Sequence, residues 1–352
     1  LLFVILLSSA LHSAAQVPPG NQWIDYSLQY WKFSIVADGL YRIDSTALAD
    51  AGFPITTIDP QELMVFGREQ QVPIYIEDGG DGVLNGADFI EFQAKKNDGW
   101  LDAQLYAQPS FQPNPYYSLY NDTINYFITW SATAQKERVV PYVNTDFAGH
   151  TPRPWYWGET ISSLTGIYRM GYNQPNGVAV TSGFYVEGEG RLHQAAITSN
   201  SPNGASQPHT ILTPRAYQGP DAPDARVSTA VASLNYQTAN NLLDHHSVIS
   251  YGPAPGTEMV DSIFNGVHTI KADFDVPASA LGANLVINYK VPHDLYMLGF
   301  LSDSNYTDYQ DVSNTRIRYA KEMHMYAQGS MNMWIPQDPS DPIARVDFTN
   351  FS

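Results

Sequence analysis

The 352-residue sequence contains no cysteine, and this absence excludes several chemistries. Within these residues there is no disulfide, no thiol nucleophile, no iron–sulfur cluster and no cysteine-bound zinc. Charged side chains make up 15% of the chain against about 25% in an average soluble domain, which excludes a coiled coil and charge-rich disorder. Basic residues number 18 against 35 acidic ones, a net charge of −17. Nucleic acid is therefore not an expected partner, because phosphate binding requires clustered lysine and arginine.

Long apolar runs are also lacking, apart from residues 1–11. That run is too short to span a bilayer, which takes about 20 residues, and no later segment is longer. Small residues follow it at positions 13–15, so the pattern predicts a secretory signal peptide over residues 1–15 whose start precedes the sequence given. Residues 335–352 pass from a proline-rich turn into a new strand-like stretch. We therefore expect the N-terminal part of a longer exported protein.

Short runs of alternating apolar residues, separated by turn residues, fill the rest of the chain, which holds 24 prolines and 25 glycines. This pattern is typical of strands and hairpins. We predict a mainly β protein: a β-rich N-terminal domain with one short helix at residues 16–150, then an antiparallel β-sandwich of the jelly-roll or Ig-like kind at residues 151–334. Residues 335–352 would begin a further region.

Local signals place several elements within this plan. Asp38-Gly39 is suited to a tight hairpin turn between strands at residues 30–36 and 40–43. Asp44 or Ser45 can cap a short helix that Gly52 ends. Residues 77–88 form an acidic turn between two strands. The proline- and serine-rich stretch 199–224 is predicted to be an exposed, mobile loop.

The acidic turn at residues 77–88 has two interpretations. Asp81, Asn85 and Asp88 fall at positions five, nine and twelve of a calcium-loop pattern, so calcium is a candidate ligand. Glu77 and Gly79 stand at positions one and three, where the pattern prefers other side chains. The alternative is a solvated hairpin tip that keeps a sheet edge soluble, and the sequence favours it.

The histidines do not form a metal or catalytic motif. Asp244-His245-His246 invites a metal interpretation, but adjacent strand residues point to opposite faces, so a solvated loop is favoured. The other histidines of the mature chain, at positions 150, 193, 209, 268, 293 and 324, occur singly. Neither a Gly-x-Ser-x-Gly elbow nor a His-Glu-x-x-His helix is present. No catalytic residue and no cofactor is predicted.

Aromatic residues cluster at Trp155-Tyr156-Trp157 and at Tyr116-Tyr117. Flat rings can stack on sugars, so these clusters are candidates for a carbohydrate platform. The proline-rich context on both sides instead favours burial between the two domains, where large rings cover much area.

The order of several short pieces resembles the N-terminal region of gingipain-like (family C25) cysteine peptidases, and more closely that of the PorU-type sortases of the Bacteroidota type IX secretion system. In the first half the pieces are Trp31-Lys32-Phe33, residues 38–44, Leu48, residues 51–53, residues 58–60, Leu63, Phe66-Gly67 and residues 81–82 and 86–92. Those that follow are residues 97–101, 113–117, 126–127, 308–310 and 317–319. Together they cover residues 16–334.

This resemblance implies the function that we expect. In the family a peptidase domain follows these domains and uses a histidine and a cysteine, neither of which has a counterpart here. The chain would then supply the non-catalytic N-terminal domains of an exported cysteine peptidase at the outer membrane, at the cell surface or outside the cell. The resemblance implies that the parent is a type IX sortase that cleaves the C-terminal sorting domain of secreted cargo, and a paralogue or a secreted gingipain-like protease stays open. These domains would position the peptidase domain and the cargo. The chain's partners would be secreted cargo, the missing peptidase domain and other type IX secretion components. The alternative is a surface carbohydrate-binding or adhesive β-sandwich protein.

Overall fold

The computed structural model describes residues 20–139, 147–170, 183–235, 243–324, 333–336 and 344–348. The predicted signal peptide at residues 1–15 lies outside them. Strands are the main regular secondary structure of the described chain, which also has one short α-helix and four short 3₁₀-helices. It divides into two compact units, residues 1–96 with 123–143 and residues 97–122 with 144–352. The prediction placed residues 97–122 in the first domain, whereas they group with the second unit. No helix among the described residues is long and apolar enough to cross a membrane.

The first unit contains two antiparallel sheets and the helix α1. Its elements are β1 (Trp31–Ile35), β2 (Gly39–Asp44), α1 (Ser45–Asp50), β3 (Leu63–Gly67), β4 (Gln70–Val72), β5 (Ile74–Glu77), β6 (Phe89–Ala94) and β7 (Ile124–Trp130). One sheet has the order β1-β7-β3-β4 and the other the order β2-β6-β5. Buried side chains from both sheets, including Ile35, Ile90 and Ile128, form one core.

The short helix forms as the sequence predicted. The Asp44 carboxylate accepts a hydrogen bond from the Ala47 backbone N–H at 2.7 Å, which caps the first turn. Leu48 fills the core side of the helix. Gly52 has φ of 72°, the left-handed geometry that ends a helix at little cost in glycine. Local signals decide this element because all its capping partners lie within a few residues.

The predicted hairpin at Asp38-Gly39 is wrong. β1 pairs with β7 and β2 pairs with β6, so the two strands that flank this turn belong to different sheets. Alternation of apolar residues identifies a strand but not its partner, because both sheets bury the same kind of face. The hairpin between β5 and β6 is confirmed, with Glu77 opposite Phe89.

The second unit is an antiparallel β-sandwich, as predicted. Its strands are β8 (Trp155–Ser163), β9 (Ile167–Met170), β10 (Glu189–Leu192), β11 (Ile197–Ser199), β12 (Ala205–Leu212), β13 (Ala225–Ser233), β14 (His245–Tyr251), β15 (Thr257–Phe264), β16 (Thr269–Val276), β17 (Asn284–Val291) and β18 (Asp308–Glu322). The first sheet has the order β11-β18-β13-β16, with β8 also on β18. The second has the order β12-β17-β14-β15, and β9 pairs with β10. Val227, Ile287 and Ile317 lie in the core between the sheets.

The prediction of an exposed loop at residues 199–224 is wrong. Eight of these residues form β12, which pairs along its whole length with β17. Ser199 at the start of the stretch and Thr213 in its middle are fully buried. Polar composition concealed the strand because β12 exposes every second side chain on its outer face.

The long strand β18 contains a β-bulge. After the bulge, the side chains that face the core are at odd-numbered positions instead of even-numbered ones. Val231 pairs with Val312 and Ala230 with Asn314, so Ser313 has no partner in β13. Val312 before the bulge and Ile317 after it both lie in the core, although their numbers differ in parity. The bulge therefore turns Arg316 and Arg318 to the outer face of the sheet.

A buried hydroxyl network joins the two sheets of the sandwich. The Tyr289 hydroxyl on β17 hydrogen-bonds to Thr229 and Thr315 of the other sheet, each at 2.7 Å. Burial raises the pKa of Tyr289 to about 12. The phenol is therefore neutral and can donate one bond while it accepts another.

We predict that Tyr289→Phe lowers the free energy of unfolding by about 1–2 kcal/mol, because it leaves the buried Thr315 hydroxyl without this partner. Denaturant unfolding of the purified chain measures the change. Tyr309→Phe is the matched control, since that ring is 38% exposed, and its stability should stay that of the parent chain. Equal stability of Tyr289→Phe and the parent would contradict the assigned role.

Candidate functional site

Two features of the second unit bring together chemically active side chains: a buried cluster of histidines and carboxylates, and a groove on the outer sheet face. The cluster lies at the start of β14 and β18, one strand from each sheet. Its central carboxylate is Asp308, which is fully buried.

His245 lies inside the sandwich between hydrogen-bond acceptors on both ring nitrogens. Nδ1 is 2.7 Å from Asp308 Oδ1, and Nε2 is 2.8 Å from the backbone oxygen of Asn235. An imidazole satisfies two acceptors only when both nitrogens carry a proton. Burial lowers the pKa of His245, and the hydrogen bond to Asp308, the charges of Asp308 and Asp244 and the bond to Asn235 together more than offset this, so the net pKa is raised.

His246 makes the same arrangement on the opposite side of the strand. Its Nδ1 lies 2.8 Å from Asp294 and its Nε2 lies 2.8 Å from Asp261. Burial lowers the pKa of His246, and the bonds to Asp294 and Asp261 more than offset this, so the net pKa is raised. Its backbone N–H also donates to Asp308 at 3.0 Å. A protonated ring between two carboxylates has no free nitrogen for a metal or a substrate.

The prediction of a solvated loop at residues 244–246 is therefore wrong. All three residues are buried, and His245 and His246 begin β14. The two histidine side chains do point to opposite faces of the strand, as the sequence argument states, and their rings contact different carboxylates. Asp261, Asp294 and Asp308 were missed because they lie 15, 48 and 63 residues from their histidine partners.

The single histidines remain apart from any complete catalytic arrangement. His209 Nε2 lies 2.9 Å from the Ser162 hydroxyl, and burial lowers the pKa of this histidine. In the described part of the chain, no carboxylate hydrogen-bonds to His209, so the pair lacks the third group that orients a catalytic base. His268 pairs with Glu187, and His293 stacks on Tyr306.

The acidic turn at residues 77–88 is closed by its own hydrogen bonds. Asp81 accepts bonds from the Val83 N–H at 2.9 Å and the Asn85 side chain at 3.1 Å. Asp88 accepts from the Asn85 N–H at 2.8 Å. Leu84, 1% exposed, anchors the turn in the core of the first unit. Across the described ranges, no three histidine, aspartate or glutamate side chains are arranged to hold a metal ion.

The aromatic clusters both lie in the second unit. Tyr156 is buried, and the Trp155 and Trp157 rings meet edge to face with centroids 4.9 Å apart. Tyr116 is half-buried and interacts with Arg316, and burial raises its pKa. Burial between domains stays a prediction for these clusters.

Trp157 lines a groove of about 400 Å³ on the outer face of the first sheet of the sandwich. Arginines contribute most of the other large side chains, namely Arg226 on β13 with Arg316 and Arg318 on β18. Asp224, Ser228 and Asp275 complete the polar lining. Sequence reasoning missed the arginines, although Arg316 and Arg318 stand two apart in a strand of a chain with few basic residues.

The fold and these sites define a mainly β chain whose described residues hold no assembled catalytic centre. No family model matches the sequence, and no curated protein matches it. Among solved structures, dimeric latent PorU from Porphyromonas gingivalis is similar over 85% of this chain and 25% of PorU, at 10% identity and a TM-score of 0.43.

Two further solved structures match with lower TM-scores. BuGH86 in complex with neoagarooctaose covers 82% of this chain at 11% identity and a TM-score of 0.21, over 32% of its own length. The infectious bursal disease virus structure of the Gt strain covers 84% at 10% identity and a TM-score of 0.24, over 72% of its own chain. The present chain thus spans about a quarter of PorU and a third of BuGH86.

We predict that His246→Gln destabilises the chain most at low pH. A raised pKa in the folded state means that the stabilisation is fully present below the ordinary histidine pKa of about 6.5 and is lost as pH rises through the folded value. Denaturant unfolding between pH 5.5 and pH 9 should show that the difference in the free energy of unfolding between parent and variant becomes smaller as the pH rises.

The control for this measurement is His268→Gln, which removes a pair whose histidine side chain is 52% exposed. Exposed pairs contribute little, so this variant should track the parent at every pH. If the free energy of unfolding of His246→Gln differs from that of the parent by the same amount at every pH, the ring is not held in its charged form.

We also predict that Asp81→Ala lowers the thermal midpoint equally in calcium and in a chelator, because the carboxylate closes the turn through hydrogen bonds. Asp50→Ala, which removes an exposed carboxylate from the same unit, is the control and should leave the midpoint unchanged. A larger loss in calcium for both Asp81→Ala and Asp88→Ala would instead establish the calcium site.

Proposed function

We propose that this chain supplies the non-catalytic N-terminal domains of an exported gingipain-like cysteine peptidase, a type IX secretion sortase that cleaves the C-terminal sorting domain of its cargo. The domains position the peptidase domain and the cargo and take no part in the chemistry. The observation that carries the proposal is the order of the sequence pieces shared with that family over residues 16–334.

The positions of these pieces in the fold support the proposal. Trp31-Lys32-Phe33 lies on β1, and residues 38–44 form the end of the turn and β2. Residues 308–310 and 317–319 lie on β18, the longest strand of the sandwich. The pieces include core residues of both units, such as Leu48 and Ile317, where side-chain identity is constrained by packing.

The contacts of the histidines support a non-catalytic role. A cysteine peptidase needs a histidine with one nitrogen free to take the thiol proton. His245 and His246 have acceptors on both nitrogens, and the chain has no cysteine. These two residues serve the structure of the sandwich.

The coding sequence that follows Ser352 tests this proposal. We expect a C25-type domain with its histidine and cysteine to begin shortly after this residue, and the purified chain alone to cleave no peptide substrate. A stop codon or an unrelated domain at that position would overturn the proposal. Peptide cleavage by the purified chain would show that the chemistry resides in the described units.

A second candidate function is binding of a surface glycan, and the groove beside Trp157 favours it. Clefts of about 300–1,000 Å³ are typical of small-ligand sites, and this groove has about 400 Å³. An indole beside charged hydrogen-bonding groups offers both an apolar wall and polar contacts to a sugar. This function is compatible with a scaffold role, because the groove lies on the outer face of the sheet.

A further inference from the structure

We propose that the groove beside Trp157 binds a saccharide that carries a carboxylate, a hexuronic acid residue. The inference rests on the second candidate function and adds the charge of the ligand. It depends on the placement of three arginines on one sheet face of a chain whose net charge is −17.

The first argument is a pair of like charges on neighbouring strands. Arg226 and Arg318 stand directly opposite each other on β13 and β18. Like charges in this position destabilise a sheet unless a group of opposite charge lies near them. Arg226 pairs with Asp275 at 3.1 Å. Glu159 stands opposite Arg318 on β8, but its carboxylate forms an ion pair with Arg316. Arg318 is exposed, and within the described residues it forms no ion pair with a carboxylate.

The second argument is the neighbouring arginine. Arg316 lies two residues before Arg318 on the same face, and it is paired with Glu159 and interacts with Tyr116. These contacts fix the position of Arg316, and its positive charge is already paired with the Glu159 carboxylate. Arg318 is therefore the cation of the groove that is available to an anion.

The geometry of Arg318 suits a carboxylate. Its guanidinium lies 5.0 Å from the centre of the Trp157 ring, which holds the planar group over the indole. A guanidinium presents parallel N–H donors that match the two oxygens of a carboxylate. A ligand that bonds to Arg318 would thus lie beside an aromatic wall.

The remaining lining favours a sugar over an acidic peptide. Asp224 is exposed beside the arginines and can accept hydrogen bonds from hydroxyl groups, whereas it would repel a chain of carboxylates. The groove also crosses the face of a sheet whose central strands, β13 and β18, are paired on both sides. An extended peptide usually adds to a free strand edge, which this face does not offer.

The test is calorimetric titration of the purified chain with trisaccharides of galacturonic, glucuronic and mannuronic acid, each compared with its neutral methyl ester. We expect at least one acid to bind, with an affinity at least tenfold above that of its ester. Arg318→Gln and Trp157→Ala should each lower that affinity at least tenfold, with circular dichroism verifying that both variants fold.

Arg191→Gln is the matched control, because Arg191 lies on β10 outside the groove. It should bind as the parent does. Sodium acetate and penta-glutamate serve as further probes, and both should bind at least tenfold more weakly than the best uronate.

The outcomes separate this inference from the function on which it rests. Equal binding of acid and ester, or acid binding that survives Arg318→Gln, would overturn the carboxylate inference and leave glycan binding standing. Binding of acetate or penta-glutamate as tight as that of the best uronate would overturn the assignment to a saccharide. If no saccharide binds, neutral or acidic, both the inference and the second candidate function fail, and the sortase proposal is unaffected.

Discussion

The sandwich of the second unit depends on the pairing of a buried charge. Asp308 is fully buried at the start of β18, where an ionised carboxylate without partners would cost several kcal/mol. His245 and the backbone N–H of His246 supply those partners from the opposite sheet, and Gln310 donates to both carboxylate oxygens. Because removal of one member leaves the others buried and unpaired, this end of the sandwich holds its two sheets in one alignment. The Tyr289 hydroxyl network joins the sheets again further along, so their register is fixed by polar contacts as well as by packing.

The strand β18 links this core to the outer surface. Its inward residues change from even to odd numbers at Ser313, and the same bulge directs Arg316 and Arg318 outward. The groove is therefore built on a strand that is paired on both sides and tied to the core. Side chains on such a support keep their positions before a ligand arrives, which lowers the entropic cost of binding. One β-bulge thus decides which side chains form the core and which form the groove.

The two proposed roles, scaffold and glycan binding, are compatible because they would use different surfaces. The pieces that resemble the gingipain-like peptidases lie largely on core strands, whereas the groove uses the solvent face of one sheet. The histidine cluster is structural, since both nitrogens of each ring already face hydrogen-bond acceptors. The interior side chains of such a β-sandwich pack and hydrogen-bond with one another, so ligands are recognised on its outer faces or loops.

The sequence by itself determined the mainly β class, the capped helix at residues 45–50, the β5–β6 hairpin and the absence of thiol chemistry. Each of these depends on residue types or on neighbours within a few positions. Only the tertiary structure decided that β1 pairs with β7, that residues 205–212 form a strand, that His245 and His246 are buried, and that three arginines share a groove. These features join residues up to 97 positions apart, in the case of Trp31 and Ile128 (128 − 31 = 97). Alternation along a strand reveals which residues share a face but not which strand lies beside them or where a bulge reverses the order. Buried charged groups are equally hard to predict from the sequence. A polar triplet such as Asp244-His245-His246 is expected in solvent, and the sequence does not show that distant carboxylates pair with its histidines in the fold.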